Sequence, residues 1–221
     1  MIHKRKYPWI GTQDWKDIVF IHWSVEPKLL RPFIPSAFEL ELFDHKAWVS
    51  VVMFKAIRTK GRMTPKFTAL REYDQMNIRT YVKYKNAESG VYFIDIFSNS
   101  TIMNQLGKSF LSLPFQKSTF SWSSNEISVT NFISVKFDLE NTYVKDPLST
   151  FLTERYCIWT VKGNKVLKIP IVHKRWQLQR LNATIKQLSI SSLERITNRD
   201  SVVSYYCPYQ HAKLFPYETN R

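Results

Sequence analysis

A mainly β (α+β) chain is predicted by three features of the sequence. Aromatic residues make up 15% of 221 residues while glycine occurs only five times, a balance that favours broad packed strands over flexible linkers. Strand-length stretches are apolar throughout or alternate between apolar and polar positions. Two pairs of such stretches are joined by short polar segments that contain glycine, the signature of a hairpin. No repeat and no Gly/Ser-rich or Pro-rich linker divides the sequence, so residues 1–221 are expected to form one domain, of a length that allows a sizeable core.

Taken in order, Ala47 to Phe54 (AWVSVVMF) is apolar on both alternate sets except at Ser50, which predicts a central strand covered on both faces. Arg79 to Tyr84 and Val91 to Ser98 flank a polar connection containing Gly90 and predict a hairpin. Asp95 falls on the alternate set of Val91, Phe93 and Phe97, so either that face is exposed or a carboxylate sits among aromatic rings. Ile102, Leu106, Phe110 and Leu113 recur at helical spacing behind Ser100 and Thr101, which can cap a helix start, and Pro114 stops the run. From Ile127 to Asp138 the alternation predicts one strand with a buried and a wet face. Tyr156 to Val161 and Val166 to Val172 flank Lys-Gly-Asn-Lys, a second hairpin. Short helices are expected over Leu148 to Glu154 and Ile190 to Ile196, and a late strand over Val202 to Cys207.

A net charge of +14 attracts anions over about a Debye length. Nucleic acid, an acidic membrane surface, an acidic protein and a carboxylate metabolite all fit that sign. The basic stretch Lys55, Arg58, Lys60, Arg62, Lys66 and Arg71 could steer an anion to a pocket mouth, but only Phe54 and Phe67 accompany it, fewer aromatics than a stacking surface for nucleic acid carries. Nucleic acid is therefore not the expected partner. The two cysteines, Cys157 and Cys207, match no zinc or redox spacing and are expected to be reduced thiols. The start of the chain lacks a continuous apolar leader segment and no run reaches membrane-span length, so a cytoplasmic protein without a membrane span is expected. The scattered glycines exclude a P-loop and a dinucleotide fingerprint, the five histidines form no HExxH pattern, and no GxSxG elbow occurs. Neither a metal nor another cofactor is expected.

Phe20-Ile21-His22-Trp23-Ser24-Val25-Glu26-Pro27, Leu30-Arg31-Pro32-Phe33-Ile34-Pro35 and Phe43-Asp44 with Ala47-Trp48-Val49-Ser50-Val51-Val52 form an ordered set of blocks. It continues with Asn77-Ile78-Arg79-Thr80-Tyr81-Val82, Gly90-Val91-Tyr92-Phe93, Leu113-Pro114-Phe115, Phe151-Leu152-Thr153-Glu154-Arg155-Tyr156 and His173-Lys174-Arg175-Trp176. Together these resemble the YqjF-like branch of the acetoacetate decarboxylase-like proteins over nearly the whole chain. The resemblance implies a closed or partly closed, mostly antiparallel sheet with an internal cavity and outer helices, and it leaves a homo-oligomer open. In that superfamily the decarboxylases carry a Schiff-base lysine directly after a proline. The similar position here is Phe115, behind Pro114, and a phenyl ring cannot attack a carbonyl. The aromatic-x-Glu motif of those enzymes reads Tyr73-Asp74-Gln75 here.

The expected function is small-molecule binding in a cavity for an apolar or keto-acid-like ligand. Arg79 is the candidate anchor, because a guanidinium holds a carboxylate with two hydrogen bonds and stays charged when buried; a salt bridge to Glu72, Asp95 or Glu154 is the alternative. Gln75, Asn77, Tyr81, Tyr92, Phe115 and Trp176 join it as expected ligand contacts. His173 is either an acid or base near neutral pH or a structural histidine. One alternative is an imine-forming lyase in which Lys117, two residues beyond Phe115 and on the same strand face, supplies the catalytic amine. Another is a basic nucleic-acid or anionic-surface binder.

Overall fold

The computed structural model describes residues 7–62, 72–190, 197 and 202–220. Its first half contains β1 (Gly11–Val25), the short helix α1 (Pro27–Leu30), β2 (Glu39–Leu40), β3 (Ala47–Gly61), β4 (Glu72–Lys83), β5 (Gly90–Ser98) and α2 (Thr101–Leu111). The second half contains β6 (Phe115–Lys117), β7 (Phe120–Trp122), β8 (Glu126–Val129), β9 (Ile133–Val144) and α3 (Pro147–Thr153). It ends with β10 (Cys157–Lys162), β11 (Lys165–His173), β12 (Leu178–Leu188), β13 (Val203–Leu214) and β14 (Glu218–Asn220). Among the described residues no helix is long and apolar enough to cross a membrane.

All strands join one mixed, mostly antiparallel sheet. β13 pairs with β1, β1 with β3, β3 with β4, β4 with β5, β5 with β10 and β10 with β11. β11 then pairs back to β13 through Ile171, Val172 and His173, so the pairing of these strands closes on itself. β12, β9, β8 and β7 continue outward from β13 as a second layer.

The expected central strand is confirmed: β3 lies between β1 and β4 and is buried from Ala47 to Phe54. It is apolar on both faces because each face meets a separate core. Inside the circuit, Phe20 of β1 and Val52 and Phe54 of β3 pack with Phe115 and Ile158. On the opposite face Val19, Ile21, Val51 and Met53 pack with Ile127, Val135 and Leu181 of the outer layer. Each such side chain contributes about 1.5–3 kcal/mol when fully buried.

Bulges decide which side chains look inward. β1 turns through Asp17 (φ 53) with a register shift between Lys16 and Val19, and β3 is irregular at Arg58 (φ 50). β5 shifts at Ile94, so that Arg79 pairs with Phe93 and Ile78 with Asp95. An extra residue reverses the alternation beyond it. Gln13 and Trp15 therefore face the same interior as Ile18 and Phe20, and Val91 and Phe93 the same interior as Ile96. This corrects the reading of Asp95: it does not share a face with Val91 and Phe93, but lies beyond the bulge and accepts a hydrogen bond from Gln116 at 2.8 Å.

Both expected hairpins are present, as β4–β5 and β10–β11. α2 starts where Ser100 accepts a hydrogen bond from the Met103 amide, and α3 starts in a capping box between Asp146 and Ser149 with Pro147 in its first turn. The single strand expected over Ile127 to Asp138 is instead two, β8 and β9, paired across a turn with Asn131 at φ 66. The late strand extends to Leu214. The helix expected over Ile190 to Ile196 lies beyond Ile190 outside the described residues, as do Lys66, Phe67 and Arg71 of the basic stretch.

Candidate functional site

The closed part of the sheet encloses a cavity of about 320 Å³, within the size range of small-molecule sites. One wall is β4, where the period-two alternation aims Tyr73, Gln75, Asn77 and Arg79 inward. Apolar side chains supply most of the remaining wall, including Ile18, Phe20, Val52, Phe54 and Ile96. α2 forms the roof, with Met103 and Gly107 over the ring of Phe115. The fit there is tight: a Cβ on Gly107 would stand 2.2 Å from the ring's Cδ2.

Six of the residues expected from sequence, Gln75, Asn77, Arg79, Phe115, His173 and Trp176, line this one cavity. Phe115 is buried and sits in the cross-sheet row Phe20, Val52, Asn77, Ile96, Phe115. The other three are elsewhere. Tyr81 is buried beside the cavity, its hydroxyl donating to the Leu152 carbonyl at 2.8 Å. Tyr92 lies on the outer side of β5 against Phe38. Lys117 is exposed and does not line the cavity, although Phe115 on the same strand does: β6 is only three residues long and Lys117 stands at its far end, two positions past the ring that α2 covers.

Arg79 has an unusual electrostatic setting. Its Nη2 donates to the Leu152 carbonyl at 3.3 Å, the guanidinium lies 5.8 Å from the Phe20 ring, and Nε is buried with no partner. No ion pair to Glu72, Asp95, Glu154 or any other carboxylate is present among the described residues. Burial pulls its pKa below the usual arginine value, yet a guanidinium so placed remains a cation. Arg155 lines the same cavity but is neutralised, with Nη1 at 2.5 Å from Glu41 Oε2. Arg79 is thus a cation without an anion in an apolar hollow, a costly arrangement for a folded protein.

Behind Arg79 runs a buried relay that sequence reasoning missed. Since the Tyr81 hydroxyl donates to Leu152, its oxygen must accept from Ser50 Oγ at 2.6 Å; Ser50, its proton spent, accepts from His22 Nδ1 at 2.6 Å. His22 is therefore the Nδ1–H tautomer and its Nε2 carries a buried lone pair with no partner. Burial, with Arg79 adding to it, holds the His22 pKa well below 6.5, so the ring is neutral. Its register with Ser50 and Arg79 across β1, β3 and β4 was not visible before those strands were paired. His173 contacts the carbonyls of Lys174 (2.7 Å) and Arg155 (3.2 Å) and packs against Trp15, Tyr156 and Trp176; burial lowers its pKa too. Among the described residues no cluster of His, Cys, Asp and Glu is placed to hold a metal ion.

Comparison with known proteins gives matches at sequence and structural level. The profile of the DUF2071 family, described as an uncharacterized conserved protein, matches residues 12–211. The uncharacterized protein YqjF of Bacillus subtilis (strain 168) is 28% identical, over 94% of this chain and 91% of its own. Among solved structures, the enduracididine biosynthesis enzyme MppR complexed with pyruvate superposes with a TM-score of 0.70 at 9% identity, covering 98% of this chain and 93% of the other. Acetoacetate decarboxylase from Legionella pneumophila superposes with a TM-score of 0.68 at 13% identity, covering 100% and 92%. At these identities the structural likeness speaks to the fold, which is the acetoacetate decarboxylase-like one.

Proposed function

Because this chain belongs to the DUF2071 family and carries the acetoacetate decarboxylase-like fold, we propose that it binds a small apolar or keto-acid-like carboxylate, with the acid group on Arg79. The observation that carries this reading is the unpaired guanidinium in the cavity wall. A carboxylate accepting from Nε and an Nη would supply the missing anion and satisfy the orphaned Nε in the bidentate geometry that arginine favours. The apolar wall would take the rest of the molecule. A fold neighbour complexed with pyruvate supports the ligand class.

Binding is the better reading than imine catalysis. By its place after Pro114, the sequence resemblance sets Phe115 where the superfamily's decarboxylases carry their lysine, and among the described residues no lysine lines the cavity. Lys117 is exposed and outside the cavity, away from the apolar pocket in which an imine-forming lysine works.

Isothermal titration with a panel of 2-keto acids, 3-keto acids and longer apolar carboxylates tests the proposal on wild type and Arg79→Gln. A charge-assisted pair of hydrogen bonds corresponds to a loss of about 10- to 100-fold in the variant. Equal affinity in both proteins would refute the role of Arg79. Borohydride treatment with the same keto acids should leave the mass unchanged; a permanent adduct on Lys117 would move the assignment to an imine-forming lyase.

A further inference from the structure

The polar wall of the cavity does not end at Arg79. Tyr73 faces the same space from six residues earlier on β4, about 20 Å away along an extended strand. There Gln13 of β1 accepts from Trp15 Nε1 at 2.5 Å through its oxygen, and its Nε2 donates to Thr59 Oγ1 at 3.0 Å and to the Tyr73 hydroxyl at 2.6 Å. Both hydroxyls therefore act as acceptors toward Gln13, and each still has its own proton. A bond between the two uses one proton. The other is left, and no further acceptor is bonded to either hydroxyl among the described residues. Burial pushes the Tyr73 pKa up to about 12, so it keeps its proton at neutral pH.

Gln13, Thr59 and Tyr73 all line the cavity, together with Ile10, which is 48% exposed and hydrogen-bonds through its amide to Leu214. The spare donor thus stands at one end of β4's inward row, and Arg79 at the other. Between them Asn77 is 4% exposed with its Oδ1 unpartnered. Polar groups follow one edge of an otherwise apolar hollow.

From this geometry we infer that the ligand is an elongated acid lying along β4. Its carboxylate sits at Arg79, and a hydrogen-bond acceptor at its far end, a carbonyl or ether oxygen, receives the spare proton of the Tyr73–Thr59 pair. The inference rests on the carboxylate reading for the orientation of the ligand, and adds selectivity at the opposite pole.

The test compares dodecanoate with the monomethyl ester of dodecanedioate, which differs in carrying an acceptor at the far end, by titration calorimetry on the full chain. Wild type should bind the ester about fivefold more tightly, the worth of one neutral hydrogen bond. A Tyr73→Phe, Thr59→Val double variant should bind the two equally, whereas Thr59→Ser, which keeps the hydroxyl, should retain the preference. Arg79→Gln should weaken both ligands alike and leave their ratio intact. Equal affinities in wild type, no binding of either, or a preference that survives in the double variant overturns the inference. Should Arg79→Gln leave both affinities untouched while the ratio still depends on Tyr73 and Thr59, the carboxylate anchor fails and the acceptor site stands.

Discussion

Replacing Gly107 by alanine isolates the contact between α2 and Phe115. In an unconstrained helix interior the substitution would stabilise by about 1 kcal/mol. Here the new methyl group would meet Phe115 Cδ2 at 2.2 Å, Cε2 at 2.3 Å and Cγ at 3.1 Å, against the roughly 3.5–4.0 Å of ordinary carbon contact. Ring or helix must give by more than an ångström. Because Cγ is among the close atoms, rotation of the ring cannot relieve the overlap. Overpacking of this kind costs about 1–3 kcal/mol, so the net expectation is a loss of up to about 2 kcal/mol. Urea unfolding with an unchanged slope and a lower midpoint would report it. Phe115→Ala alone should cost about 3–5 kcal/mol, but at least 1 kcal/mol less in the Gly107→Ala background, where removal of the ring also relieves the clash. A Gly107→Ala protein that gains the full helix-propensity increment, with an additive double-mutant cycle, would show that the ring does not rest on this glycine.

Three further outcomes follow from the site and its supports. Arg79→Met should raise the stability of the ligand-free protein by about 1 kcal/mol, by removing a cation that has no partner, while abolishing carboxylate binding; a chemical denaturation curve shifted to lower midpoint would contradict this. His22 is held neutral well below its ordinary 6.5, so the unfolded chain binds the proton first as pH falls. Stability is accordingly complete above about pH 6.5 and declines below it, by up to about 1.4 kcal/mol per unit. His22→Asn, which can still donate to Ser50, should flatten that decline in a pH series of thermal melts, leaving the smaller part of the same sign from His173. Asp146→Ala removes the acceptor of the Ser149 amide at the start of α3 and should cost about 1 kcal/mol in the same denaturation assay.

Local patterns carried much of the architecture. The doubly apolar run at Ala47 to Phe54, the Gly90 hairpin and the Ser100 helix start are decided by neighbours in sequence, and the structure shows each. β1 was not recognised as a strand, because Lys16 and Asp17 interrupt it with a bulge and its second half feeds two cores at once. The same physics misplaced Tyr92 and Asp95: a single inserted residue at Ile94 reverses the faces of β5, and nothing in VYFIDIFS marks it. On the site, Asn77 and Arg79 were legible in one family block, Gln75 at the place of the aromatic-x-Glu motif, and Phe115 by its place after Pro114. Gln13, Thr59 and Tyr73 come from three strands brought together by pairing, and His22 with Ser50 from two. The orphaned state of Arg79 is likewise a property of what surrounds it, which only three dimensions reveal.

The seam at β11 has a bearing on how the protein comes to exist. Its strand neighbour across the closure, β13, follows every other member of the circuit in chain order, and also covers the free side of β1, which comes first. Pairings of such long sequence separation form late and slowly. A ribosome-bound chain exposing β1 to β11 therefore has walls but no enclosure, and its apolar lining stands open to water until the closing strand emerges. A molecule able to occupy that lining would favour the completed ring over its open precursor.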